Sequence, residues 1–317
     1  MKPMNHLKSI FLASALISGI SITAHAEINV VSSVKPLHSL VSGVMEGVAR
    51  PDLIVKGSAS PHTYSLRPSQ ARQLEDADLV FWMGHELESF LEQPLEAIAT
   101  KGHIVELIDS SKLKKIKMRE GGMFDAHAHD DHDEHEGHDD HGHGEFDVHV
   151  WLDPENAKVL VDEIKLALIE LDPVNSSKYE SNSNKMNMKL DQLIYEVSKK
   201  LESEQGKGYV VFHDAYQYFE QRFGMSAVGS ITVSPEVVPG ANRIRELKNK
   251  INELNAHCVF SEPQFEPKLV STVIEGTQAN TGVLDPLGAS IKDGPELYFT
   301  LIRNMADSLH ECLSKKD

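Results

Sequence analysis

Cysteine and basic side chains are both scarce in this chain. Its 317 residues include two cysteines, and no C-x-x-C pair exists, so zinc-finger and thioredoxin-like classes have little support. The P-loop, G-x-G-x-x-G and G-x-S-x-G motifs are also absent, which argues against the commonest nucleotide-binding and hydrolase classes. The chain has 31 Lys and Arg against 48 Asp and Glu, a net charge of −17. Because phosphate contacts need clustered cations, we expect no nucleic-acid partner.

Long hydrophobic runs are missing from most of the sequence. Hydrophobic residues make up 40% of the chain and charged residues 25%, which is the composition of a globular protein. The length predicts two domains. We therefore expect a protein that does not insert into a membrane.

One apolar run, residues 10–22, lies near the N-terminus and is too short to span a bilayer. Lys2 and Lys8 precede it, and Ala24-His25-Ala26 follows it, as in a signal peptide with an A-x-A cleavage pattern. We expect cleavage of residues 1–26 before Glu27. No cysteine lies near that point to accept a lipid, so we expect the mature protein to be free in the periplasm.

The two cysteines, Cys258 and Cys312, are an even count in a chain predicted to be exported, which favours a disulfide between them. The bond would close a loop of about 54 residues and stabilise the fold by about 4 kcal/mol in the chain-entropy treatment.

After Glu27, short β-branched runs alternate with amphipathic stretches, which predicts an α/β fold built from βα units. We expect two lobes, each a mostly parallel four-stranded sheet flanked by helices, joined by one long helix. The N-terminal lobe covers residues 27–173 and ends in a helix that starts at Asp153-Pro154, an N-cap followed by proline at N1. Its strand candidates are residues 28–33, 53–56, 79–83 and 103–107.

Residues 174–204 are polar, lack glycine and interior proline, and carry a single apolar stripe, which predicts the long linking helix. The stripe consists of Met186, Leu190, Leu193, Val197 and Leu201. The C-terminal lobe covers residues 205–317, with a helical run at 241–254. Its strand candidates are residues 209–212, 227–232, 258–260 and 283–284.

Three histidines, His62, His149 and His213, have conspicuous local contexts in the two halves of the chain. In parallel α/β sheets, ligands collect beyond the carboxyl ends of the strands, so imidazoles from both halves can meet in one crevice. Imidazole suits zinc, and three nitrogen ligands leave one tetrahedral position for a carboxylate or water. Asp285 is the carboxylate candidate, although a cap or turn role before Pro286 accounts for it equally well.

Five segments together resemble one known family. They are residues 31–37 (VSSVKPL), 61–69 (PHTYSLRPS), 147–154 (DVHVWLDP), 211–216 (VFHDAY) and 284–288 (LDPLG). The resemblance is to the periplasmic metal-binding proteins of ABC uptake systems for zinc and manganese, and most closely to the zinc-specific branch. It implies two α/β lobes joined by a rigid long helix, a metal ion between the lobes, and delivery of that ion to an inner-membrane permease.

The resemblance also implies the ligands, since the family's histidine positions fall on His62, His149 and His213. Manganese-type relatives carry a carboxylate where this chain has His213, so the imidazole there indicates Zn2+. Some zinc-binding relatives place Glu immediately before the first ligand, where this chain has Pro61. Water or Asp285 must therefore fill the fourth position.

An acidic, histidine-rich insertion covers residues 121–147 and holds no Lys or Arg. It has too few apolar residues to offset the cost of ordering, so we expect a flexible loop in the absence of metal. Zinc-specific relatives carry a similar loop, which suits an auxiliary, weaker zinc site. Its seven histidines are His127, His129, His132, His135, His138, His141 and His143.

Enzymatic motifs are incomplete. His85-Glu86-Leu87-Glu88-Ser89 begins like the zinc-protease H-E-x-x-H, but the second histidine is replaced by Ser89. We expect a monomer without enzymatic activity that captures Zn2+ and passes it to the permease of a zinc ABC transporter. The alternatives are manganese or iron binding on the same scaffold, a zinc hydrolase, and a scavenging or adhesion role centred on the insertion.

Overall fold

The computed structural model describes residues 28–119, 124, 145–232, 240–254 and 256–315. The expected signal peptide and the seven histidines of the insertion lie outside these residues. Within the described ranges, no helix combines the length and the apolar character needed to cross a bilayer.

The N-terminal lobe is built on a parallel four-stranded sheet in the order β2-β1-β3-β4. Its strands are β1 (Val30–Ser32), β2 (Asp52–Leu53), β3 (Leu79–Trp82) and β4 (His103–Glu106). The crossovers that parallel pairing requires are α1 (Lys35–Val44), α2 (Pro68–Asp76) and α3 (Ser89–Ala97). The two central strands, β1 and β3, are buried along their whole length, as expected for strands covered on both faces.

Two long helices follow the first sheet, and the second of them links the lobes. The first, α4 (Pro154–Leu171), begins where the Asp153 side chain accepts a hydrogen bond from the Glu155 backbone N–H (2.9 Å), so the predicted cap is confirmed. The second, α5 (Ser176–Leu201), spans 26 residues and packs against α4 and α1. Its predicted apolar stripe is buried.

The C-terminal lobe repeats the plan with a second parallel sheet, in the order β6-β5-β7-β8. Its strands are β5 (Tyr209–His213), β6 (Ala227–Thr232), β7 (Cys258–Ser261) and β8 (Asn280–Val283). Its helices are α6 (Gln217–Phe223), α7 (Ala241–Glu253), α8 (Pro267–Ile274) and α9 (Leu297–Leu313). The two-lobe α/β fold predicted from the sequence is therefore confirmed.

Three predicted boundaries differ from the structure. The strand expected at 53–56 is only two residues long, although Ile54 and Val55 still donate backbone hydrogen bonds to the end of β1. The last strand begins at Asn280 instead of 283, because β8 lies at the sheet edge and needs few apolar residues. The linking helix is shorter than 174–204, since 3-10 turns at Pro173–Asn175 and Glu202–Glu204 replace its ends.

One hydrophobic core runs through both lobes. It joins Phe81 of β3, Leu190 of α5, Val211 of β5 and Ile302 of α9 in a single cluster of buried side chains. A smaller cluster, which includes Ile251, lies between the C-terminal sheet and helices α7 and α8. Because close-packed interiors resist deformation, the shared core fixes how the inner edges of the two sheets face each other.

The predicted disulfide between Cys258 and Cys312 is confirmed. Both residues are buried, and the bond ties the start of β7 to the last turn of α9.

Replacing both cysteines (Cys258→Ala/Cys312→Ala) is expected to lower the free energy of unfolding by about 4 kcal/mol, because the unfolded chain regains the entropy of the loop. Urea denaturation of the oxidised protein and the variant measures the loss. Reduced wild-type protein is the matched control and should lose a similar amount. A loss below about 1 kcal/mol in both would show that the cross-link contributes little.

Candidate metal centre

Three short segments at the inner edges of the lobes carry the three predicted histidines. His62 lies in the 3-10 turn Pro61–Thr63, which follows β2. His149 directly precedes the 3-10 turn Val150–Leu152 that leads into α4. His213 is the last residue of β5, at the carboxyl end of a central strand, where parallel sheets gather ligands.

The imidazole rings of these histidines meet in one cleft. The ring centroid of His62 lies 5.6 Å from that of His149 and 5.9 Å from that of His213. The Nε2 atoms of His149 and His213 are 3.5 Å apart, and one ring nitrogen of each histidine lies within 4.8 Å of the other two. Nitrogens bound tetrahedrally to one zinc ion are roughly 3.3 Å apart, so the observed spacing suits a metal.

The cleft around the three rings is lined mainly by apolar side chains. These are Pro61, Leu87, Trp151, Phe265, Pro286 and Leu287, and the polar residues Ser60, Glu262 and Gln264 complete the lining. His149 and His213 are buried, and His62 is partly exposed. In the part of the chain that the structure describes, no second group of three or more His, Cys, Asp or Glu comes this close together.

Two buried carboxylates hold two of the imidazoles. Asp147 Oδ1 lies 2.7 Å from His149 Nδ1, and Glu262 Oε1 lies 2.7 Å from His213 Nδ1. The same carboxylates also accept the backbone N–H of their histidines, at 2.9 Å and 3.3 Å. With Nδ1–H donating to a carboxylate, Nε2 of each ring is left with a free lone pair that points into the cleft.

The sequence interpretation missed the roles of Asp147 and Glu262. The sequence places Asp147 at the end of the insertion and at the start of segment 147–154 without giving it a role, although its D-x-H spacing to His149 is a usable signal. Glu262 directly follows β7, at the carboxyl edge of the sheet, where parallel α/β proteins bind their ligands. The D-x-H spacing and the strand-end position do not by themselves predict which histidine each acid contacts.

Burial controls protonation in this cluster. Burial, with the other two rings adding to it, lowers the pKa of His62 to about 2, and burial likewise lowers the pKa of His149 to about 3. Burial raises the pKa of Asp147 to about 7. Burial also acts to lower the pKa of His213, but the adjacent Glu262 outweighs it and the pKa is raised.

These pKa shifts determine how many protons the cluster binds in acid. Below about pH 6, each carboxylate–imidazole pair binds one proton in addition to the Nδ1 proton of its neutral ring. His62 is already neutral at that pH.

Asp285 lies in a turn beside the cleft and is not part of the three-histidine group. Its carboxylate accepts the backbone N–H groups of Leu287 (3.1 Å), Gly288 (2.9 Å) and Ala289 (2.6 Å). It also accepts a hydrogen bond from the Gln264 side chain (3.0 Å). These contacts correspond to the turn role that the sequence left open.

The two ends of the histidine-rich insertion pair with each other close to the cleft. Lys117 and Phe146 form an antiparallel bridge, and the Asp147 backbone N–H donates to the Ile116 carbonyl (2.8 Å). Asp147 therefore belongs to the ordered base of the insertion.

Arg119 ties this base to the C-terminal lobe. Its guanidinium donates to Asp214, the neighbour of His213, through Nε at 2.9 Å. It also pairs with Glu220 at 2.8 Å. Arg119, two residues before the insertion, is therefore held next to a metal-ligand candidate.

The incomplete protease-like motif contributes Leu87 to the cleft wall but no candidate ligand. His85 Nδ1 pairs with Glu92 at 3.0 Å, and the buried Glu88 accepts the backbone N–H of Met83 at 2.7 Å. Neither joins the three-histidine group.

Known proteins resemble the chain over almost its whole length. The family described as zinc-uptake complex component A, periplasmic (ZnuA), matches residues 30–312. The high-affinity zinc uptake system protein ZnuA of Brucella suis biovar 1 is 52% identical, and the alignment covers 98% of this chain and 100% of that relative.

Solved structures share the fold. A crystal structure of ZnuA matches with a TM-score of 0.75 at 22% identity, over 91% of this chain and 100% of that one. A manganese-bound periplasmic metal-binding protein from Candidatus Liberibacter asiaticus matches with a TM-score of 0.72 at 21% identity, over 90% and 99%. The fold alone therefore does not select the metal. The match over residues 30–312, together with 52% identity to a full-length relative, shows that the chain belongs to the ZnuA family of periplasmic zinc-uptake components.

Proposed function

We propose that the protein captures Zn2+ through one ring nitrogen each of His62, His149 and His213, between lobes formed by residues 27–173 and 205–317, which residues 174–204 connect. It then delivers the ion to the inner-membrane permease of a zinc ABC transporter. The observation that carries this proposal is the convergence of three imidazoles in one cleft lined mainly by apolar side chains. Membership of a zinc-uptake family supports the delivery step.

The donor set favours zinc over manganese. Manganese prefers oxygen-rich sites, and the described group contains three nitrogen donors and no carboxylate. Asp285 is engaged by three backbone N–H groups, so we assign the fourth position to water. Three protein ligands with an exchangeable fourth also suit an ion that must be released again.

The proposed location is the periplasm. Residues 1–26 have the pattern of a cleavable signal peptide, and the matched family is periplasmic. We further infer a monomer that presents both lobes to one permease, with transport as its role and no enzymatic activity.

The seven histidines between His127 and His143 are assigned to auxiliary, weaker capture of zinc. Alternating imidazoles and carboxylates suit transient binding of divalent ions. The residues that flank the insertion support this assignment, since Lys117 pairs with Phe146 and Arg119 pairs with Asp214, next to His213.

Replacing His62, His149 or His213 by Ala, one at a time, is expected to weaken zinc binding by more than about 100-fold. Removing a side chain that only hydrogen-bonds to a metal ligand already weakens binding by roughly 10- to 100-fold, and losing the ligand itself should weaken it more. Competition with a chelator of known affinity measures the change. His103, an exposed histidine on β4, supplies the matched control, and His103→Ala should bind zinc as the wild type does. Unchanged affinity in any of the three variants would contradict the role of that residue.

Zinc affinity is expected to fall by roughly 100-fold per pH unit below about pH 6, because the ion must displace one proton from each of the two carboxylate–imidazole pairs. Three ordinary histidines would give up to about 1000-fold per unit. His62 releases no proton, since its pKa lies near 2. Calorimetry at pH 5.5 in buffers of different ionisation enthalpy should count about two protons per zinc. A count of three, or of none, would contradict the pKa shifts.

Replacing residues 121–144 with a short Gly-Ser linker is expected to leave one tight zinc site and to remove only the weaker binding. The reason is that Lys117, Phe146 and Asp147 keep the base of the insertion intact. Equilibrium dialysis gives the stoichiometry. Extending the deletion through Asp147 is the contrasting variant, and it should weaken the tight site by roughly 10- to 100-fold. If the shorter deletion also lost the tight site, the insertion itself would be the main zinc-binding region, and the prediction would be wrong.

A further inference from the structure

The three proposed ligands do not balance the charge of a bound Zn2+. Neutral imidazoles contribute no net charge, so a bound Zn2+ would place two positive charges in a cleft lined mainly by apolar side chains, with Glu262 as its one carboxylate. Removing an ion from water into such surroundings is costly unless opposite charges lie close to it. The centre therefore needs negative charge from outside the ligand set.

Asp147 and Glu262 are placed to supply it. They are 2% and 3% exposed, and each contacts the Nδ1 atom of one ligand ring at 2.7 Å. Each carboxylate is thus separated from the ligating nitrogen by a single imidazole ring. No Lys or Arg of the described ranges forms an ion pair with either of them.

Three other acids near the cleft are paired with cations. Asp153 pairs with Arg222 at 2.6 Å, and Asp214 and Glu220 both pair with Arg119. Asp147 and Glu262 have no such partner among the described residues, and a buried carboxylate without a nearby cation is unfavourable. A metal ion bound in the cleft would supply the missing positive charge.

We propose that Asp147 and Glu262 together provide the two negative charges that balance the bound ion, so that the loaded centre is neutral and prefers divalent over monovalent cations. They are positioning residues as well, since each fixes the tautomer of its histidine. This inference rests on the proposed function of His62, His149 and His213.

Charge and orientation can be separated by substitution. Asp147→Asn and Glu262→Gln remove the charge but keep an oxygen that accepts the Nδ1–H hydrogen bond. Asp147→Ala and Glu262→Ala remove both. Glu296→Gln/Asp307→Asn is the matched control, because it deletes two exposed, ion-paired carboxylates.

The test measures Zn2+ and Ag+ affinities of the D147N/E262Q variant in chloride-free buffer. Outer-shell substitutions cost roughly 10- to 100-fold in metal affinity, so we expect a loss of about 100-fold or more for Zn2+. Coulomb energy is proportional to the ion's charge, so the loss for Ag+ should be about the square root of that factor, roughly 10-fold. The control variant should leave both affinities unchanged. Equal losses for the two ions, or no loss, would overturn the charge role.

A second readout uses zinc alone. A centre that has lost its two carboxylate charges should recruit an anion to the fourth position, so the zinc affinity of D147N/E262Q should rise with chloride concentration while that of the wild type does not. X-ray absorption should detect the zinc–chloride contact in the variant. A variant whose affinity is independent of chloride would also overturn the proposal. Either failure leaves the histidine assignment standing, because only the His→Ala series tests that.

Discussion

Three imidazole rings from distant parts of the chain face one another inside a buried cleft, and the rest of the structure serves this arrangement. Burial in the cleft, with neighbouring rings adding to it, lowers the pKa values of His62 and His149. A proton can satisfy only one lone pair, whereas a metal ion can accept all three. The cleft therefore suits a cation that binds several nitrogens at once.

The three rings can face one another only if the two lobes keep a fixed relative position and orientation. Trp151, beside His149, donates from Nε1 to the carbonyl of Pro286 on the opposite wall (2.9 Å), and the Tyr298 hydroxyl donates to the carbonyl of Trp151 (2.7 Å). The buried Lys35, at the start of α1, donates to the carbonyl of Ile291 (2.8 Å). Together with the continuous core, these contacts hold the two walls of the cleft together.

Much of the fold could be predicted from local patterns. The start of α4 was predicted from Asp153-Pro154, because N-cap chemistry is decided within a few residues. The ends of β2 and β8 were not predicted well. Leu53, Ile54 and Val55 are apolar and buried, but a run of apolar residues indicates burial without showing where the hydrogen bonding between strands stops. β8 is an edge strand with polar residues, so it lacked an apolar signal.

The sequence by itself determined the α/β class, the disulfide and the three histidines worth examining, since alternation, cysteine count and residue type are properties of short segments. Only the tertiary structure decided that Asp147 and Glu262 hold two of the imidazoles and that Asp285 holds a turn. A carboxylate's role depends on which donor comes within about 3 Å of it. Glu262 and His213 are 49 residues apart in the chain, and only the pairing of β5 with β7 brings them together.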